Sequence, residues 1–154
     1  MNTASLRYIT EFRGAYAFLN NFYRYSFVYR DLVFPTSEHA FHWEKTDDLV
    51  AKNEIIQAAT PQEAKAIGRN VPLAPGWQEY RRYFAMEGIL KSKFVMGSQT
   101  AEWLMGTGHA ILIEGNRWHD NDWGCCYCPK CVGTGRNLLG YMLMKRRYLL
   151  TQGL

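Results

Sequence analysis

The chain is divided by its own punctuation into short pieces, and that division limits the folds open to it. Helix-starting hydroxyls stand at Thr36 or Ser37, at Thr60 and at Ser98, with Pro35, Pro61, Gly68 and Gly97 bounding the pieces between them. A hydroxyl ahead of an acidic residue marks a helix start because its oxygen accepts an amide that the first turn leaves unpaired. Thr36-Ser37-Glu38 therefore predicts a helix to about Lys45, followed by a helical stretch over 47–59. In Thr60-Pro61-Gln62-Glu63 the threonine caps and the proline takes the first turn of a short helix that stops near Gly68. After a loop over 72–76, Trp77, Tyr80, Phe84, Ile89, Leu90 and Phe94 recur at helical spacing, predicting a helix over 77–95. Gly97 closes it, and Ser98 opens another through Met105.

Strand signals are fewer. Aromatic and β-branched residues over 22–34, centred on Arg30-Asp31, predict a hairpin. Residues 110–113 read as a buried strand ending in Glu114-Gly115-Asn116, and a loop rich in Trp, Asp, Gly and Cys follows over 117–135. The final helix, 137–150, is expected to turn Leu138, Leu139, Met142 and Leu149 inward. Its Lys145-Arg146-Arg147 cluster lies near the C-terminal end, where cations suit the helix dipole. With no repeat or linker, the expectation is one compact α+β domain over 1–154, mostly helical, with a small antiparallel sheet.

Composition narrows the class. Hydrophobic residues at 47% and charged residues at 21% of 154 support a packed core and exclude disorder. Aromatics reach 15%, with five Trp, ten Tyr and eight Phe, leaving ring faces for a planar ligand. A net charge of +4 favours anionic ligands, although no basic tail marks a dedicated nucleic-acid binder. The opening MNTASLRYITEF has no apolar leader, and no stretch approaches the ~18 apolar residues of a membrane span. A cytoplasmic protein without membrane partners is the expectation; oligomeric state is left open.

Glu38 falls in the first turn of its helix, where unpaired amides and the macrodipole favour an anion. Glu38, His42 and Lys45 share one helical face, an arrangement able to hold both ends of a phosphorylated ligand. The plainer reading of Glu38 is helix stabilisation. In His119-Asp120-Asn121-Asp122-Trp123-Gly124, two carboxylates and an indole occupy a loop, the usual home of function, although either aspartate can instead cap backbone in an Asx-turn. Trp77, Arg81 and Phe84 share a side at α-helical spacing and could stack on a base; core packing is the alternative, more usual for Phe84 than for Trp77. Cys128-x-x-Cys131 is half of a zinc knuckle that Cys126 and His119 could complete, against a default of free thiols.

Read together, these segments resemble the NADAR (YbiA-like) family. The resemblance runs through Phe12-Arg13-Gly14, Leu19-Asn20-Asn21-Phe22-Tyr23, T-x-E-H-x-F over 36–41, Lys45, Gly68-Arg69, Trp77, D-x-x-W-G over 120–124 and G-x-N-x-L-G over 135–140. It implies a mainly helical α+β domain that hydrolyses N-glycosidic bonds. The implied substrates are ADP-ribose–guanine adducts or phosphorylated ribosylamino-pyrimidines of riboflavin synthesis. Carried over, Glu38 is the essential carboxylate and Asp120, Trp77 and Trp123 complete the site, while Asn21, Lys45, Arg69 and Asn137 hold ribose or phosphate. No organic cofactor is required, and a structural zinc on Cys126, Cys128, Cys131 and His119 stays open. Asn20 stands where the family has serine, and the Cys-rich stretch after Gly124 resembles only a subset of it. Two rival readings are a non-catalytic ADP-ribose or nucleotide-binding module, and a nucleic-acid binder using Arg81-Arg82 and Lys145-Arg146-Arg147 as phosphate contacts; ADP-ribosylated nucleic acid is a partner compatible with the enzyme.

Overall fold

The computed structural model describes residues 7–154; residues 1–6, part of the segment expected to lack an apolar leader, lie outside the described residues. In chain order the elements are β1 (Tyr8–Ile9), a 3-10 turn (Gly14–Leu19), β2 (Phe27–Tyr29), β3 (Leu32–Phe34), α1 (Ser37–Glu44), α2 (Leu49–Gln57) and α3 (Pro61–Gly68). A π-helical turn (Trp77–Arg81) then leads into α4 (Arg82–Lys93), followed by α5 (Gln99–Gly106), β4 (Ile111–Leu112), β5 (Gly115–Asn116), β6 (Cys125–Cys126) and α6 (Leu138–Thr151). The chain divides into two compact units, Asn21–Lys93 and the remainder on either side of it.

In the unit Asn21–Lys93, β2 and β3 form the expected antiparallel hairpin, with Phe27 opposite Phe34 and Tyr29 opposite Leu32. Arg30 and Asp31 both have positive φ, 49° and 62°, the twist that a two-residue turn needs to match right-handed strands. Alternation buries Phe27, Tyr29 and Phe34 and leaves Val28 and Val33 exposed. Those rings pack with Ala40, Ile89, Phe41, Trp43 and Ile56, and α1 lies against α2, α3 and α4. The helix starts follow the punctuation: Thr36 accepts from the His39 amide and Thr60 from the Glu63 amide, while Glu63 reaches back to the Ala59 amide. The stretch expected over 47–59 begins two residues later, because Asp48 caps it by accepting from Val50 and Ala51.

The helix expected over 77–95 opens with the π turn, and this corrects the face assigned to it. A π turn inserts one extra residue, so Trp77 and Phe84 no longer share a side. Trp77 is buried, 5.1 Å from the Phe41 ring, whereas Phe84 is 69% exposed, reversing the expected preference. Ala85, Met86, Ile89 and Leu90 supply the buried stripe instead.

In the other unit, β1 pairs with β4 and β5 with β6, both in parallel, and a single antiparallel bridge joins Cys126 to Thr134; the antiparallel ladder is the β2–β3 hairpin. The segment expected to be an unbroken loop over 117–135 contains β6. Helix α6 packs on α5 and β4. Its buried positions are Leu139, Gly140, Leu143, Arg146, Arg147 and Leu150; Leu138, Met142 and Leu149 are half-buried, correcting the expected inward set. Two arginines enter the buried face because three backbone oxygens and the Thr107 hydroxyl receive them. Arg146 donates to Phe94 O and Leu154 O, and Arg147 to Thr107 Oγ1 and Ala110 O. They are therefore not the phosphate contacts of a nucleic-acid face. Arg81 is likewise engaged, donating through both terminal nitrogens to Asp47. Among the described residues no helix is long and apolar enough to cross a membrane.

Candidate functional site

The first turn of α1 carries the best-defined reactive group. The Glu38 amide donates to Asn21 O at 3.0 Å, fixing the helix entry, and the side chain is only 9% exposed. One turn on, His42 Nε2 lies 3.1 Å from Glu38 Oε1, and Lys65 Nζ approaches the same oxygen at 3.8 Å from α3. A nearly buried carboxylate needs such partners, since desolvating it unpaired is costly. If His42 donates from Nε2, its Nδ1 is the acceptor nitrogen, and that atom is buried with no hydrogen-bond partner. Asn21 Oδ1 is buried and unpartnered as well.

Cations surround this carboxylate. Burial, and then the charge of Arg69, push the Lys45 ammonium below the usual lysine range, while Glu38 opposes the shift. Lys45 therefore lies within electrostatic reach of both Arg69 and Glu38. Gly68 makes the closeness feasible: a Cβ there would fall on the His42 ring. Sequence reading missed Lys65. It reaches Glu38 through the packing of α3 on α1, and no local pattern encodes that packing.

His39, next to Glu38, points elsewhere. Its Nδ1 is 2.7 Å from Thr36 Oγ1 and its Nε2 is 3.1 Å from Ala58 O. Burial holds its pKa below the ordinary histidine value, and the Ala58 carbonyl partly opposes this. This imidazole is a structural tie. At the other end of α1 sits a second buried carboxylate, Glu44, which accepts from Tyr29 OH at 2.8 Å and pairs with Arg30 and, at 3.7 Å, with Arg81. Burial, then the Glu44 hydrogen bond, push the Tyr29 phenol up to about 12. Its full set of partners marks Glu44 as a brace rather than a reactive group.

The other unit holds the remaining candidates. Asp120 Oδ1 accepts the amides of Asp122 at 3.2 Å and Trp123 at 2.9 Å, the Asx-turn that sequence reading weighed against catalysis. Trp123 is half-buried, and its carbonyl accepts the Leu139 amide. Asn137 has both ends of its side chain engaged: Nδ2 donates to Leu112 O at 2.9 Å and Oδ1 accepts the Glu114 amide at 3.0 Å. Its φ of 52° places it in the left-handed region at the start of α6. These bonds brace Asn137 between β4 and the start of α6.

His119, Cys126, Cys128 and Cys131 converge so that one donor atom from each lies within 4.8 Å of the others. All four cysteines are free thiols. The donor set and its closeness fit a tetrahedral metal ion, and Cys125 stands outside the set.

N-glycosidase YbiA of Shigella boydii is 31% identical over 86% of this chain and 80% of its own length. A riboflavin biosynthesis protein of Vibrio vulnificus is 30% identical over 86% of this chain, a match that covers 35% of that longer protein. The NMR structure of the Escherichia coli protein YbiA is similar with a TM-score of 0.81 and 28% identity, over 97% of this chain and 89% of that one. The NADAR domain family matches residues 8–151. This chain belongs to the NADAR domain family.

Proposed function

We propose that this protein is an N-glycosidase that hydrolyses the bond between a ribose C1′ and a base nitrogen. The observation that supports this best is the nearly buried Glu38 carboxylate, held on one oxygen by His42 and Lys65. Its relatives carry the same activity in their names.

As the C1′–N bond breaks, the ribose ring gains positive charge and the base gains negative charge. A fixed carboxylate under the sugar stabilises that oxocarbenium-like state or aims the attacking water. Glu38 has this task, and its Oε1 is the anchored oxygen, which leaves Oε2 to face the sugar carbon. His42 is a positioning residue that fixes the carboxylate's rotation. Lys45 and Arg69 bind phosphate, the first as a point charge and the second as a fork. Asn21 Oδ1 accepts from a ribose hydroxyl.

Trp77 serves as a wall, since it is buried with its ring packed against Phe41. Asp120 as proton donor to the leaving base, and Trp123 as a stacking ring, rest on their motif alone. With one Asp120 oxygen committed to two amides, proton transfer falls to Oδ2 or to an ordered water. The proposed substrates are ADP-ribose–guanine adducts or phosphorylated ribosylamino-pyrimidines, in a reaction that requires no organic cofactor.

The test incubates the purified protein with ADP-ribosylated guanine in DNA, the free nucleotide adduct and the ribosylamino-pyrimidine phosphates, in ¹⁸O-labelled water. From at least one substrate, release of ADP-ribose, or of ribose phosphate with the free pyrimidine, is expected, with label at the sugar C1′ hydroxyl. Binding of every compound without cleavage of its ribose–nitrogen bond would make the protein a nucleotide-binding module and overturn the proposal.

A further inference from the structure

We infer that the segment over 119–131 is a zinc site built from His119 Nδ1 and the sulfurs of Cys126, Cys128 and Cys131. Two distances define the set: His119 Nδ1 lies 3.2 Å from Cys131 Sγ and 3.6 Å from Cys128 Sγ. Around a tetrahedral zinc with ordinary Zn–S and Zn–N bonds, neighbouring donor atoms are roughly 3.6–3.8 Å apart. All four donors fit within 4.8 Å of one another, so an ion needs only small rotations of the side chains.

Three thiolates and one imidazole in a closed tetrahedron select zinc over hard cations, which prefer oxygen, and over square-planar copper(II). Binding Zn²⁺ at neutral pH leaves the sulfurs as thiolates and sends their protons to solvent, with no electron transferred.

The alternation of β6 separates two adjacent thiols that the sequence cannot distinguish. Successive side chains on a strand point to opposite faces. Cys126 joins the cluster, whereas Cys125 Sγ faces Gly135 O at 3.7 Å. The backbone around the cluster is committed to the same end. His119 and Val132 hold φ of 67° and 54°, conformations that cost a non-glycine residue energy and persist only where the surroundings impose them. The Cys131 amide donates to Cys128 O, the Gly133 amide to Cys126 O, and the Asn121 side-chain amide to Cys131 Sγ at 3.6 Å. Donors aimed at a ligating sulfur orient it and tune it.

The ion would fasten the loop that carries Asp120 and Trp123. Between the ligands, the carbonyls of Asp122 and Trp123 receive the amides of Leu138 and Leu139, satisfying the start of α6. Closing the chain from 119 to 131 on a metal thus holds that reception in place, where the local strands are two residues long.

The test uses the full chain, purified under reducing conditions without added metal. Elemental analysis should give about one zinc per chain, and cobalt(II) exchange should produce sulfur-to-cobalt charge-transfer absorption with the intense visible bands of tetrahedral coordination. Cys128→Ser and Cys131→Ser should each lower zinc occupancy at least about fivefold, while Cys125→Ser keeps it. Wild-type protein holding less than about a tenth of an equivalent after zinc reconstitution overturns the site, as does a cobalt spectrum without sulfur charge transfer. Equal loss in Cys125→Ser and Cys128→Ser overturns the ligand set. These readouts stand independently of glycosidase activity.

Discussion

Glu38, His42 and Gly68 are three residues from two helices that act as one unit. The carboxylate is anchored by the imidazole, and the imidazole has room because position 68 carries no side chain. Gly68→Ala should therefore push the His42 ring off Glu38. The expected outcome is a stability loss of about 1–3 kcal/mol by urea unfolding, the range for overpacking a closed site, together with a fall in kcat larger than any change in KM. A variant with normal turnover would show that the His42–Glu38 contact is not needed. At this scale the sequence was informative: the helix-start signal placed Glu38 in its turn, and 3.6-residue spacing put His42 and Lys45 beside it. Lys65 was not legible, since its contact depends on how α3 lies on α1.

Elements show where local rules hold and where packing overrides them. Helix starts at Thr36, Thr60 and Ser98 emerged as read, because a cap is a contact between residues three apart. The face of α4 did not, because one extra residue in the π turn shifts the register and periodicity alone cannot detect it. The inward face of α6 also differs from the apolar pattern, because Arg146 and Arg147 find carbonyls to donate to. Asn137 opens that helix in a left-handed conformation while tying β4 to it. Asn137→Ala should cost roughly 2–4 kcal/mol, combining two lost hydrogen bonds with a β-carbon in the left-handed region; Asn137→Gly should cost about 1 kcal/mol less. Unfolding midpoints that match wild type, with KM alone raised, would return Asn137 to substrate binding.

For the molecule as a whole, the motifs in order along the chain were legible and named the family, which the match over residues 8–151 bears out. The parallel pairing of β1 with β4 and β5 with β6 was not, since two-residue strands leave no alternation to read. Acid should destabilise the fold through His39. In the unfolded chain an imidazole takes a proton below about 6.5. Burial lowers the value for folded His39, so its contribution is complete above that pH and is lost as pH falls toward the folded value. Urea midpoints measured from pH 7.5 down to 5 should decline, and His39→Gln should flatten that part of the slope. An unchanged slope in the variant would exclude His39 as the source.

The most direct measurement compares Glu38→Gln with wild type in the same hydrolysis assay, after circular dichroism has shown both to be folded. The substitution keeps the shape of the side chain and removes its charge. Stabilisation of a cationic sugar by Glu38 requires kcat to fall by about 100-fold or more. Turnover within about threefold of wild type on the same substrate would contradict the assignment of Glu38, and with it the mechanism.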